Sequence, residues 1–212
     1  MIYRLPKQFI FPPLHEADED GLLAVGGDLQ AGRILAAYQA GIFPWYSEEP
    51  ILWWSPDPRF VLFPDELKVS ASMKQVLKKK VFHITFNQAF TDVIRGCSGT
   101  PRPGQDGTWL NPDMQQAYTE LHTLGVAHSV ECWLGATLVG GLYGLLLGHT
   151  FFGESMFSTV SNASKAAFIT FVHTYAAQGM QLVDCQVYTP HLESFGARFI
   201  PRDEFVRRIQ EH

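Results

Sequence analysis

In the stretch LVDCQVYTP, residues 182–190, a carboxylate and a carboxamide interrupt a run that otherwise reads as a buried strand. Side chains alternate faces along a strand, so Asp184 and Gln186 share one face while Val183, Cys185 and Val187 take the other. A carboxylate can take or relay a proton, and an amide can hold an amine or a carbonyl, so the pair suits proton transfer at a polar reaction centre. The plainer role is to tie a strand end to neighbouring backbone, as buried polar groups commonly do. Glu154, in GESMFS, is read as lying just past an apolar strand, where it can hold an ammonium group or make an ordinary salt bridge.

Other familiar chemistries find no support. Ser158 and the three cysteines have no His–Asp arrangement that makes a triad, and the eight histidines show neither HxH nor HExxH spacing. Cys97, Cys132 and Cys185 are widely spaced with no CxxC pair, which points to reduced thiols rather than a disulfide framework or a zinc site. GGDLQAG has the glycines of a turn but no Walker lysine. A net charge of −5 argues against a general nucleic-acid coat, yet Lys74, Lys78, Lys79 and Lys80 cluster, with Lys68 nearby. Such a cluster is either a solvated helix face or a local phosphate track.

These residues need elements to position them. DLQAGRILAAYQAG reads as a helix, with Asp28 as its cap and Gly41 after its end. SASMKQVLKKK reads as a short helix with Met73, Val76 and Leu77 inward, and FHITFN as a strand. NQAFTDVIRGC is expected to be a helix capped by Asn87, with Phe90, Val93 and Ile94 buried. The loop SGTPRPGQDGTWL is too rich in glycine and proline for an element of its own, and loops this long tend to be functional. Asn111 and Pro112 open a helix stopped by Gly125. AHSVECWL and ATLVGGLYGLLLG pair across Gly135, and TFFGESMFS adds a third strand. Asn162 is expected to cap a long helix reaching about Gln178, before the strand holding Asp184, a short helix, FIPR as a strand and a terminal helix. This order describes an α+β sheet covered by helices.

The first sixty residues differ in texture, with many turns, aromatics and prolines, so a boundary is placed near residue 60. Hydrophobic residues at 46% and charged ones at 17% suit a globular protein with a substantial core. No apolar run reaches the ~18 residues that cross a bilayer, and the N-terminus lacks a signal-peptide core, so neither membrane insertion nor export is expected.

Seven ordered blocks, GLLAVGGDL, AYQAGIFPWYS, PILWWSPDPR, GTWL, GESMFS, NASKAA and DCQV, resemble the leucyl/phenylalanyl-tRNA–protein transferase family from about Gly21 to Arg202. The resemblance implies a bacterial cytoplasmic enzyme that takes leucine or phenylalanine, sometimes methionine, from aminoacyl-tRNA. It joins that residue to a protein beginning with Lys or Arg, creating an N-end rule degradation signal. It also implies a small N-terminal α/β domain (residues 1–60), then a GNAT-like, acetyltransferase-type domain (residues 61–212) with a mostly antiparallel sheet. No metal or organic cofactor is implied.

Under this resemblance Asp184 and Gln186 are the catalytic pair, Asp184 polarising Gln186 or the incoming amine. A route in which the ribose carries the proton fits the sequence equally. The resemblance puts the wall of a donor pocket at Leu142, Phe151, Phe168, Phe171 and Tyr175. The last three fall at i, i+3 and i+7 on the long helix, a stripe that otherwise reads as core. Trp45 and Trp109, in loops, are candidates to stack on the terminal adenine of tRNA, with Tyr38 and Tyr118 as further candidates in that region. Trp53 and Trp54 read as core filler. Glu154 would hold an ammonium group, the donor's or the acceptor's basic end, and Lys74 and Lys78–Lys80 would track acceptor-stem phosphates.

Two other functions are weighed. An acetyl-CoA-dependent N-acetyltransferase needs a glycine-rich pyrophosphate loop before the long helix, where GESMFSTVSNAS offers one glycine. A non-catalytic tRNA- or peptide-binding module would leave aminoacyl-tRNA unchanged in the presence of an Arg-starting peptide.

Overall fold

A computed structural model describes residues 2–99 and 110–211. The chain opens with β1 (Tyr3–Arg4), β2 (Leu22–Val25), α1 (Ala31–Gln39), β3 (Phe43–Pro44) and β4 (Leu52–Trp54), whose strands form a sheet in the order β1-β2-β4-β3. Then follow β5 (Arg59–Leu62), α2 (Ala71–Lys78), β6 (His83–Phe86), α3 (Phe90–Ser98), α4 (Pro112–Thr123) and β7 (Ala127–Leu134). The chain continues with β8 (Thr137–Leu147), β9 (Thr150–Ser158), α5 (Ala163–Ala176), β10 (Leu182–Gln186), α6 (Pro190–Glu193), β11 (Arg198–Ile200) and α7 (Arg202–Gln210). A second sheet has the order β11-β5-β10-β9-β8-β7-β6, antiparallel at every joint except β9–β10. The fold is α+β, with a mostly antiparallel sheet flanked by helices. Among the described residues no helix is long and apolar enough to cross a membrane.

Both faces of the large sheet are buried, and strand alternation divides its side chains between two cores. Tyr143, Leu145, Phe152 and Leu182 join the core shared with α1, α3, α4, α7 and the N-terminal sheet. Their neighbours Leu142, Phe151 and Val183 join the opposite core, under α2 and α5. Phe168, Phe171 and Val172 fill that second core together with the small residues Ala163, Ala166 and Ala167, as suits a helix lying across a sheet.

Ser70 and Asn111 cap α2 and α4, each accepting a backbone N–H three residues on, and Phe90, Val93 and Ile94 are buried as read from the pattern. Three expected caps are corrected. Asn87 and Asn162 are left-handed, at φ 58° and 70°, and neither caps a helix. Asn87 instead accepts the Ser129 N–H, while the start of α3 is met from the sheet by Glu131, whose Oε1 accepts the Ala89 N–H at 3.3 Å. Asp28 binds the Gln30 N–H and Arg33, and α1 begins only at Ala31. The loop expectation for residues 100–109 lies outside the described residues.

Candidate active site

Asp184 and Gln186 flank a β-bulge. On β10, Asp184 pairs with Val61 and Gln186 with Phe60, so Cys185 is an extra residue opposite a single step of β5. Gln186 is left-handed at φ 62°, and the Val187 N–H turns back to the Cys185 carbonyl at 2.7 Å. A non-glycine residue held so is strained, and such strain gathers where a fold must aim a side chain. Asp184 holds the kink in place: its Oδ1 accepts the Gln186 N–H at 2.9 Å.

The Asp184 carboxylate is committed elsewhere as well. Arg59 donates to both of its oxygens, at 2.8 and 2.7 Å, and both side chains are wholly buried. The guanidinium lies over the rings of Phe43 and Phe205 at 4.7 and 4.6 Å and donates to the Gly41 carbonyl. Asp184 is thereby a fixed anion that shapes the backbone at Gln186, with its oxygens already taken.

A second bulge lies on the neighbouring strand. Tyr143 of β8 pairs with Ser155 and Gly144 with Gly153, so β9 carries one extra residue, Glu154. Glu154 therefore sits within β9 rather than past a strand, and the bulge aims it across Gly153 at β10. Gln186 Nε2 donates to Glu154 Oε1 at 3.0 Å. The Tyr38 hydroxyl of α1 is hydrogen-bonded to the same oxygen at 2.5 Å, and the Tyr118 hydroxyl of α4 to Oε2 at 2.9 Å. Burial outweighs these hydrogen bonds and pushes the carboxyl from 4.5 up to about 8.

β9 and β10 pair only from Leu182–Thr150 to Asp184–Phe152 and then part. Into this divergence opens a cavity of about 520 Å³, lined by both sides of the split and roofed by Trp45 and α6. Asp184, Gln186, Glu154, Leu142, Phe151, Phe168 and Trp45 all border it. Phe171 and Tyr175 do not. Phe171 packs behind Phe151 with ring centroids 4.3 Å apart and planes tilted by 53°, and Tyr175 packs on Phe171, Phe86 and His128. An i+3, i+7 stripe on a helix buried on most sides does not stay on one cavity.

Tyr38 and Tyr118 are completely buried, so their rings are not available to a stacking base, and their hydroxyls serve Glu154. Trp45 is half-buried at the rim with its ring 6.0 Å from that of Trp54, while Trp53 is fully buried. Trp109 lies outside the described residues. Lys74, Lys78, Lys79 and Lys80 are exposed along α2 and just past it.

Pattern reading missed Arg59 and the link from the two tyrosines to Glu154. A buried carboxylate requires a partner, which was a signal for some arginine, but β5 lies 125 residues from Asp184 in sequence. Gly144 and Gly153, facing each other at the β9 bulge, were the local hint for Glu154.

A family model described as leucyl/phenylalanyl-tRNA protein transferase matches residues 61–210, and one for that family's N-terminal domain matches residues 27–57. The chain is 56% identical over 212 residues to a leucyl/phenylalanyl-tRNA–protein transferase of Syntrophobacter fumaroxidans, spanning 100% of this chain and 91% of that protein. It is also 56% identical over 206 residues to one of Flavobacterium johnsoniae, spanning 97% of each. Among solved structures, it is similar to an aminoglycoside acetyltransferase from a soil metagenomic sample at TM-score 0.38 and 12% identity, over 63% of this chain and 90% of that one. The structure of L-PGS from Bacillus licheniformis is similar at TM-score 0.43 and 11% identity, over 85% of this chain and 60% of that one.

Proposed function

The chain belongs to the leucyl/phenylalanyl-tRNA–protein transferase family, and from that premise we propose that its donors are leucyl-, phenylalanyl- and methionyl-tRNA. Its acceptors, in the same proposal, are cytoplasmic proteins beginning with Lys or Arg, which the added residue marks for degradation by the N-end rule. Transfer of an aminoacyl group from tRNA to protein is the activity of the family. The reaction is aminolysis of an ester: the acceptor's α-amine forms a C–N bond at the acyl carbon, the C–O bond to the ribose breaks, and the ribose hydroxyl leaves with a proton. With a pKa of about 8, much of the amine is neutral near pH 7, so no covalent nucleophile is required. The protein's part is position, a hydrogen-bond acceptor for the amine and stabilisation of the developing oxyanion.

One observation carries this reading: the side chain of Gln186 borders a largely apolar cavity from a strained, left-handed backbone. In the proposal Gln186 meets the attacking amine. Asp184 serves by fixing the kink that presents Gln186, and the proton departs through the amide or the ribose. Leu142, Phe151 and Phe168 receive the donor side chain, with Phe171 and Tyr175 supporting that wall from behind. A misplaced methylene in such a wall costs about 1–3 kcal/mol, which favours leucine and phenylalanine over residues branched at Cβ. Trp45, with Trp109, stacks the terminal adenine, and the α2 lysines follow the acceptor-stem phosphates. Residues 1–60 form, in this reading, a small domain serving the larger one.

The decisive experiment incubates the protein with labelled leucyl-tRNA and an Arg-starting peptide. The expected product is a peptide one leucine longer. A peptide acetylated from acetyl-CoA, or labelled tRNA left intact beside an unchanged peptide, would overturn the proposal.

A further inference from the structure

Three side chains close a ring of contacts through four oxygens beside Gln186. Tyr38 Oη lies 2.5 Å from Glu154 Oε1, Tyr118 Oη lies 2.9 Å from Glu154 Oε2, and the two phenol oxygens lie 2.7 Å apart. Each separation is that of a hydrogen bond, and each needs a proton between the atoms. Two phenols bring two protons. With an ionised carboxylate, one of the three contacts therefore sets lone pairs against each other in a buried place. A protonated carboxyl brings the third. The circuit then runs from the acid O–H to one tyrosine, from that tyrosine to the other, and from there to the remaining carboxyl oxygen.

We propose that Tyr38, Tyr118 and Glu154 form a three-proton ring in which Glu154 is a neutral acid, and that this ring is the positioning device for the Gln186 amide. In either direction around the ring, Glu154 Oε1 keeps a lone pair for Gln186 Nε2, so the nitrogen end of the amide is held at the ring. The amide oxygen is then the end offered to an incoming amine, and in this respect the inference rests on the role proposed above for Gln186.

The surroundings agree. Among the described residues no ion pair includes Glu154. The nearest anion, Asp184 of β10, is matched by Arg59 of β5 and disfavours a second negative charge at Glu154. Tyr143 of β8 packs its ring 5.5 Å from that of Tyr118. Burial also drives both phenols well above their usual value of 10.0, so they keep their protons.

The ring and an anionic, cation-holding Glu154 make opposite predictions for Glu154→Gln. A glutamine amide copies the neutral acid: its oxygen accepts from Tyr38 and Gln186, and its N–H donates to Tyr118. We expect E154Q to keep kcat/KM within about threefold of wild type at pH 7. The ratio of variant to wild-type kcat/KM should then rise above pH 8, where wild type loses its third proton; taking the ratio cancels titration of the acceptor amine. Tyr118→Phe opens the ring and should lower kcat with little change in KM for either substrate. A folded E154Q that is at least 100-fold slower at every pH overturns the ring.

A second readout needs no activity. Infrared difference spectra of wild type minus E154Q should contain the carbonyl stretch of a protonated carboxylic acid at pH 7, lost above about pH 9. If that band is missing at pH 7 the ring is wrong whatever the kinetics. If it is present but no peptide is lengthened, the ring stands and the proposed function fails.

Discussion

Asp184 and Glu154 carry carboxyl groups in adjoining strands with opposite electrostatic arrangements. Asp184 is neutralised by a guanidinium, whereas Glu154 is hydrogen-bonded only to neutral groups. Substituting Arg59→Met would strand a buried anion, and loss of one partner from such a pair costs about 3–5 kcal/mol. Denaturant unfolding should report that loss, and transfer activity should fall with it as the Gln186 kink loosens. Glu154 makes a separate mark on stability. Its carboxyl is raised from 4.5 to about 8, so between those values the folded chain binds a proton that the unfolded chain does not. Its contribution is full below the ordinary carboxylate range and is lost as pH rises through about 8. The melting temperature of wild type relative to E154Q should therefore fall across that window. A difference flat with pH would mean that Glu154 does not titrate there.

At the level of elements, two bulges on adjacent strands aim the two polar side chains that meet at the cavity. The β9 bulge depends on Gly144, where an added Cβ would come 2.2 Å from the Phe152 carbonyl oxygen and 2.5 Å from the Phe151 ring. Gly144→Ala must displace backbone, so we expect a loss of about 1–3 kcal/mol, measured by thermal unfolding, and weaker donor binding as Phe151 shifts. Bulges also mark what the sequence could convey. Both faces of β8, β9 and β10 are covered, as the order of helices and strands led one to expect. Asn111 was legible as the start of α4 because a cap is made within one turn, and Ser70 caps α2 in the same way without having been singled out. Asn87 and Asn162 look the same in a string of letters, but they adopt the left-handed conformation that asparagine also tolerates. The face shared by Asp184 and Gln186 was inferred from strict alternation, and the strand abandons alternation at that point. The β10 bulge is set by register with β5, a partner strand distant in sequence, so no local pattern announces it. For the same reason Tyr38 and Tyr118, 80 residues apart, gave no sign that their hydroxyls converge.

Across the whole molecule, a net charge of −5 must coexist with binding a polyanion. Four exposed lysines at 74 and 78–80 concentrate positive charge on and beside one short helix. Replacing all four by alanine should weaken aminoacyl-tRNA binding and flatten its dependence on salt, by about one unit of log–log slope for each phosphate contact removed. A filter-binding series in increasing salt tests this, and an unchanged slope removes the lysines from the interface. The folded state should tolerate the change, because none of the four side chains is buried.

Arg59 has one further consequence. Its guanidinium is clasped between Phe43, near the beginning of the chain, and Phe205, near the end, while it grips Asp184 beside the cavity. On the ribosome, a nascent chain still missing its last helix lacks one jaw of that clasp. The newborn polypeptide therefore holds Asp184 and the cavity beside it in their final form only after Phe205 has been made, and truncation ahead of Phe205 should lower transfer activity although every residue bordering the cavity has already been made.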